Sequence, residues 1–487
     1  MSLVQKAVRG AAWTTLTSMA ARVFSLVATM LVTHKIPPDE WGQTSAAVVV
    51  ALTANSLSTF FLSNYLIVDP TRSRSAAWHA NWIQQLTGMV ALGATVLLGP
   101  WLGPMLGAPK LAHYLPGAVL AFVVLRVSIV PEKLLVRDLR FRFLALTRMS
   151  AEIGYGVVTI VAAYAGMGGM ALILGAFTRM ALKTVCFCAA VPWREWSEPH
   201  AFDATVTKKM FAYGTPLWLS GIAGYVSGNW DNLLVSRYFG PAVMATYGLA
   251  FNLAEMPAAQ IGEQLCEVLL PSFALLSLEQ RRAALVKAVL VVSLITFPIA
   301  VGLGAVSDTI VRAFFNARWA AVAPMLLILS LRAVGRTIIY PLTQYLQSID
   351  RNRDQMLLGF LHAGVLVATL VALGARSPML TCFGVVATQS IVAIFGIVIV
   401  GREGVPTFEM STNLLRILLA CATMAGAVFG VRRLLAPYAL PPVVLLAVEV
   451  TVGAITYVPA AFVLCGGPTR NFLSWLRRGL GRTEAAA

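Results

Sequence analysis

Arg332 and Arg336 stand four residues apart, and Tyr340 and Gln344 continue the series at the same interval. A spacing of four places all four side chains along one stripe of an α-helix. Arginine grips phosphate oxygens with two parallel N–H donors, so such a stripe suits an anionic group. Arg22, Arg126, Arg179 and Lys183 are also set within or near the ends of apolar runs. An isolated cation in hydrocarbon costs about 3 kcal/mol or more, so these groups must meet water, a carboxylate or an anionic ligand. Two roles are open to them. They can pair with Glu152, Asp231, Glu255, Glu263 or Glu267, or snorkel to the nearest interface. Alternatively, they can line a central cavity as a positive surface, and their excess over the acids inside the apolar runs favours an anionic passenger.

A second group lies between Gly214 and Pro271, an apolar stretch long enough to cross a bilayer twice, with a turn at Phe239 to Pro241. Inside it sit Asn229, Asp231, Asn232, Asn252 and Glu255, which hydrocarbon solvates badly and which therefore mark a candidate functional region. Asp231 and Glu255 could carry a proton, hold sodium, or form a salt bridge to an arginine. Asn229 and Asn252 could stitch helices together or touch the passenger. Together these four residues are the candidates for coupling or gating.

The elements that must position these groups are membrane helices. The chain of 487 residues is 58% hydrophobic and 12% charged, with a mean hydropathy of +0.77. That is far too little polar surface for a soluble protein of this size. The formal charge of +16 does not mark a nucleic-acid binder, because the basic residues sit at the ends of apolar runs, as the positive-inside rule expects. Cutting at those ends gives about fourteen spans of roughly 20 residues. They begin near residues 11, 44, 83, 114, 149, 170, 211, 245, 285, 323, 356, 380, 413 and 442. Most Lys and Arg residues then fall on one side, which places both termini in the cytoplasm. The first run, from Ala11 to about Thr33, is long and has no convincing cleavage site, so it reads as the first span.

The expected organisation is an N-terminal lobe (1–191, spans 1–6), a cytoplasmic linker (192–210), a C-terminal lobe (211–401, spans 7–12), and spans 13–14 with a basic tail (402–487). Turns are expected at Pro37-Pro38, between Gly99 and Pro109, and at Gly166 to Gly169. Trp193, Trp196 and the charges near them suggest a linker lying along the membrane surface. Lys133, Arg137, Arg140, Arg142 and Arg148 form a topology anchor or a dock for anionic headgroups. Aligning Pro38 with Pro241 lays Val32-Thr33 on Val235-Ser236, a weak internal repeat of the kind many secondary transporters carry. Pro298 and Pro341 fall inside spans, where they permit kinks.

Nothing in the sequence points to catalysis. The five histidines are scattered, Cys186 and Cys188 lack common zinc spacing, and no phosphate-binding Gly-x-x-x-x-Gly-Lys-Ser/Thr sequence occurs. No cofactor or metal is expected. The six cysteines lie in apolar runs and read as small core residues rather than as a disulfide framework.

At Gly214-Thr215-Pro216, Asn229-x-Asp231, Ser236-Arg237-Tyr238-Phe239-Gly240-Pro241, Tyr247 and Asn252-Leu253-x-x-x-Pro257 the chain resembles the seventh and eighth spans of polysaccharide-transport flippases. These belong to the superfamily of multidrug, oligosaccharidyl-lipid and polysaccharide exporters, which includes the lipid II flippase. Gly10-Ala11-Ala12-Trp13 and Pro38-Asp39-Glu40-Trp41-Gly42 resemble the family's opening, although His34-Lys35-Ile36-Pro37-Pro38 departs from its usual Arg-Leu-Leu-Gly-Pro. The resemblance implies an all-α polytopic bundle of two six-helix lobes around a central cavity, plus two C-terminal helices. It also implies a bacterial inner-membrane flippase moving an undecaprenyl-diphosphate-linked oligosaccharide to the periplasmic leaflet by alternating access, for surface polysaccharide. Membrane lipids and the polymerase and glycosyltransferases of the same pathway would be its partners.

Two rival functions remain at this stage. An ion-coupled multidrug exporter of the same superfamily would use Asp231 or Glu255, but the surplus of cations in the spans argues against an organic cation as cargo. A membrane glycosyltransferase or ligase would carry a long extracytoplasmic loop with acidic or His residues, and none is visible.

Overall fold

In a computed structural model, the structure describes Thr17 and residues 20–466, apart from residues 70, 72, 268, 275, 374 and 439. The Gly10 to Trp13 motif and the basic C-terminal tail lie outside the described residues, as do the side chains of Glu263, Cys266 and Glu267. Among the described residues the chain is helical and has no strand. In order, the helices are α1 (Ala20–Thr33), α2 (Pro38–Leu57), α3 (Tyr65–Val68), α4 (Arg74–Met105), α5 (Leu111–Val127), α6 (Ile129–Arg137), α7 (Phe141–Tyr164), α8 (Met170–Ala190), α9 (Ala204–Phe239) and α10 (Pro241–Glu267). They continue as α11 (Leu269–Ala274), α12 (Leu278–Ala305), α13 (Ser307–Phe314), α14 (Val322–Leu329), α15 (Arg332–Ser348), α16 (Asn352–Leu373), α17 (Pro378–Arg402), α18 (Thr407–Leu435) and α19 (Pro442–Leu464).

Nine helical segments among the described residues are long and apolar enough to cross a bilayer. The other expected spans coincide with α1, α2, α5, α9 and α10, each of which is shorter or interrupted by polar groups. Leu97 and Val463, 75% and 83% exposed, typify apolar side chains on the outside of such helices, which suit hydrocarbon better than water. The contacts of α2 rest largely on small residues, as expected where hydrocarbon gives no hydrophobic drive between helices. Ala46, Ala47, Ala51 and Ala54 form the buried face of α2. A Cβ on Gly42 would sit 1.8 Å from the carbonyl oxygen of Pro241, so only glycine permits that approach.

Both prolines of the internal repeat open helices. Pro38 is the first residue of α2, and Pro241 is the first of α10, where its fixed φ is pre-organised and its missing N–H is no loss. The turn between α9 and α10 is Gly240 alone, at φ 83°, a conformation glycine adopts without strain. Gly166 and Gly168 play the same part between α7 and α8, with φ of 85° and 52°.

One expectation needs correction. The bend placed between Gly99 and Pro109 is narrower, because α4 runs through Pro100 and Pro104 to Met105 and the turn is left to Leu106 to Lys110. Within the stretch 192–210, α9 begins at Ala204. Asp203 caps it: its Oδ1 accepts from the Thr205 and Val206 N–H groups at 2.8 and 3.3 Å. These two donors hold the Asp203 carboxyl below the usual carboxylate range. The Asp203 N–H in turn donates to Nε2 of buried His79 at 2.9 Å, and His79 Nδ1 donates to the Ser75 carbonyl. The cap is therefore tied to α4. Trp193 is 59% exposed on the stretch before it.

By internal packing the chain divides into residues 1–245 and 246–487. The helix expected to open the C-terminal lobe, α9, thus packs with the N-terminal unit. The reason is a polar seam along α2. Trp218 Nε1 donates to the Leu57 carbonyl at 3.0 Å, and Tyr225 Oη meets Thr53 Oγ1 at 2.9 Å and the Val49 carbonyl at 3.2 Å. Val49, Thr53 and Leu57 recur every four residues, one stripe of α2. At the far end of α9, Ser236 Oγ donates to the Leu106 carbonyl at 2.8 Å.

Candidate functional site

The stripe on α15 is real, and its charged members converge on one carboxylate. Arg332 Nη1 donates to Glu255 Oε2, and Arg336 Nη1 donates to Glu255 Oε1, so each oxygen of the α10 carboxylate faces a different guanidinium. All three belong to the C-terminal unit. Arg336 Nε donates to Tyr340 Oη at 2.5 Å, and its guanidinium lies 5.1 Å from that ring's centre. Arg332 stacks over Phe251, one turn before Glu255 on α10, at 4.6 Å. Gln344, the last member of the stripe, is half-buried on α15. His362 on α16 lies within electrostatic reach of both guanidiniums.

Close packing behind α15 fixes the pair. Gly335, next to Arg336, presses on α17 so tightly that a Cβ would meet the Gln389 carbonyl oxygen at 3.0 Å. Thr337 shares a 2.9 Å hydroxyl–hydroxyl bond with Thr296 of α12, and both are buried. The two arginines are thus presented from a helix that cannot rotate freely, the condition for a pre-organised charge site. The Glu255 carboxylate thus bridges two guanidiniums where α10 and α15 meet.

The N-terminal unit holds two further cation sites. Arg126 on α5 is 2% exposed, and its Nη2 donates to Ser58 Oγ at 2.6 Å. Its Nε and Nη1 have no partner among the described residues. The guanidinium lies over Gly88 of α4, where an added Cβ would sit 1.7 Å from Nε. Gly88→Ala is therefore expected to push Arg126 off Ser58. Gly88→Ala should change the melting temperature of the purified chain as Arg126→Ala does, and the double variant should change it no further. A Gly88→Ala chain that melts as wild type does would separate the glycine from the arginine. Arg179 on α8 is half-buried, with Nη1 3.5 Å from Glu152 Oε2 on α7 and its guanidinium 4.9 Å from the Tyr155 ring centre. Lys183, one turn along α8, shares the same field.

Arg22 on α1 and Asn252 on α10 are exposed. Asn229 Nδ2 donates to the Tyr225 carbonyl at 3.2 Å, within its own helix. Asp231 is 1% exposed, and its Oδ1 accepts from the backbone and side-chain nitrogens of Asn232 at 2.8 and 3.1 Å. Asp231 belongs to the N-terminal unit and Glu255 to the C-terminal unit.

Sequence reasoning missed one buried pair. Arg432 Nε donates to Glu449 Oε1 at 2.6 Å, joining α18 to α19, and Glu449 is fully buried. The signal was present: a single carboxylate in a 23-residue apolar helix demands a partner. His362 was passed over because nothing along the sequence places it beside the arginines.

All-α, polytopic, and carrying ionised side chains buried inside long apolar helices, the chain is a multi-pass membrane protein. Its fold matches the inward-closed conformation of the lipid II flippase MurJ with a TM-score of 0.76, covering 92% of this chain and 98% of that one at 12% identity. A family model described as "Polysaccharide biosynthesis protein" matches residues 31–324, well over half of the sequence, and the chain belongs to that family. It is 28% identical to the lipopolysaccharide biosynthesis protein WzxC of Escherichia coli K12, over 69% of this chain and 70% of that protein. It is 22% identical to the teichuronic acid biosynthesis protein TuaB of Bacillus subtilis 168, over 98% of this chain and 99% of that protein.

Proposed function

We propose that this protein carries an undecaprenyl-diphosphate-linked oligosaccharide repeat unit from the cytoplasmic to the periplasmic leaflet of a bacterial inner membrane, for surface polysaccharide biosynthesis. The observation that carries the reading is the pair of guanidiniums on α15 converging on one anionic group. Two forked donors four residues apart suit a diphosphate, whose two phosphoryl groups each offer several acceptor oxygens. Membership of a polysaccharide biosynthesis family agrees with a sugar-bearing cargo. No bond is made or broken in this cycle. The protein's work is to keep a charged headgroup out of hydrocarbon while the lipid tail stays in the bilayer.

In this reading Arg332 and Arg336, with Tyr340 and Gln344 beside them, hold the diphosphate or the first sugar. Arg126 and Arg179 offer positive charge in the N-terminal unit, and Arg22 lies on the first span. Asn229, Asp231 and Asn252 serve as gating groups. The layout of about fourteen spans in two six-helix lobes, with both termini cytoplasmic, belongs to the same proposal. The partners are the lipid-linked oligosaccharide, surrounding lipids, and the polymerase and glycosyltransferases of the pathway.

Reconstitution tests the function directly. Purified protein in liposomes loaded symmetrically with a labelled lipid-linked oligosaccharide should expose the inner-leaflet half to an external lectin within minutes. Protein-free liposomes should expose only the outer half. An identical lectin-accessible fraction with and without protein would overturn the proposal.

A further inference from the structure

We infer that Glu255 is a built-in stand-in for the substrate's diphosphate, which holds the α15 arginines in readiness and is displaced when the headgroup arrives. The inference rests on the reading that Arg332 and Arg336 bind the diphosphate. The geometry is that of anion recognition: one carboxylate engages two guanidiniums, with a separate oxygen for each. Arg332 also stacks over Phe251, and Arg336 also donates to Tyr340. The carboxylate therefore occupies the place an incoming phosphate must take. A diphosphate carries more charge and more acceptor oxygens than this one carboxylate, so it can compete for the same donors.

This arrangement settles two problems of an anion carrier. Two bare guanidiniums at bilayer depth would be unstable, and Glu255 supplies a counter-charge. A carrier must also change when loaded. Glu255 ties α10 to α15 while the site is empty, so headgroup binding removes that tie and loosens α10 against α15. A ligand shifts a conformational equilibrium by its differential affinity for the two states, and competition with an internal carboxylate provides that difference.

The test is anion binding by the purified full-length chain, with inorganic pyrophosphate and an undecaprenyl diphosphate as probes and thermal denaturation as the readout. Glu255→Gln keeps the shape and removes the competing charge. It should melt below wild type and bind pyrophosphate about tenfold more tightly, because the probe no longer works against a carboxylate at the same donors. Saturating pyrophosphate should recover most of its lost thermal stability while raising wild type far less. The further change Arg336→Ala should abolish that recovery. Should Glu255→Gln not fold, Glu255→Asp keeps the charge on a shorter arm and should bind more tightly than wild type. Binding by either variant that is no tighter than wild type would overturn the stand-in role while leaving the arginines as the site. Failure of every form to bind either probe would overturn the diphosphate reading itself. Recovery by undecaprenyl diphosphate but not by pyrophosphate would assign the site to the lipid-linked form and support the displacement.

Discussion

Cells carrying Arg336→Ala in place of the wild-type protein should export little polymer, while the protein stays in the membrane at near-normal level. Arg336 is 29% exposed at its side chain, against 7% for Arg332, so it is the guanidinium more open to a ligand. Its removal leaves Glu255 with Arg332, so the carboxylate is not stranded. What disappears is one charge-assisted fork, about 2 kcal/mol, or roughly a thirtyfold loss if the interaction is needed at the crest of transport. Arg332→Ala should do the same, with a larger stability loss because Arg332 is buried and stacked on Phe251. The double variant should stop export altogether, and adding Glu255→Gln to it should restore protein level without restoring export. Arg336→Lys separates charge from geometry: it keeps the cation but loses the fork and the donor to Tyr340, and should export closer to the Ala variant than to wild type. Polymer measured at the cell surface, beside an immunoblot of the membrane fraction, decides the matter. Normal export by the double variant would remove both arginines from the carrier function.

Much of this was legible in the residues, and the limits have physical causes. The α9–α10 boundary could be read because Phe239-Gly240-Pro241 combines a residue free to adopt positive φ with one that starts helices. The α15 stripe could be read because four-residue spacing is a local property of a helix. The partner of that stripe could not. Glu255 was one of five acids available to the cations, and only packing of α10 against α15 selects it. The same holds for His362, which is 26 residues from Arg336 in sequence and on another helix, yet lies within reach of its charge. Arg126 shows the reverse: its position in an apolar run was plain, but that Gly88 makes room for it depends on how α4 meets α5. The start of α9 at Ala204 precedes the apolar span near 211, because hydropathy marks where the bilayer begins, whereas an Asp cap marks where the helix begins.

Arg432→Met should destabilise the chain more than any single change at the candidate site, and Arg432→Met with Glu449→Leu should recover most of the loss. Glu449 is fully buried on α19, with one oxygen bonded to Arg432 at 2.6 Å and the other without a partner among the described residues. Arg432 also donates through Nη2 to the Ala305 carbonyl at the end of α12, at 2.7 Å, so one guanidinium joins three helices. Removing it strands a carboxylate in an apolar bundle, a penalty of about 3 kcal/mol or more. Removing both charges strands nothing charged, and apolar replacements of similar volume can be close to neutral. The Ala305 carbonyl still loses a donor, so recovery should stop about 1 kcal/mol short of wild type. The readout is the melting temperature of the detergent-solubilised chain followed by size-exclusion fluorescence. Because neither residue belongs to the arginine cluster on α15, the double variant should also keep its polymer export. A single variant as stable as wild type would mean that Glu449 is not held as a charge, and a stable double variant that fails to export would place α18 and α19 within the transport cycle.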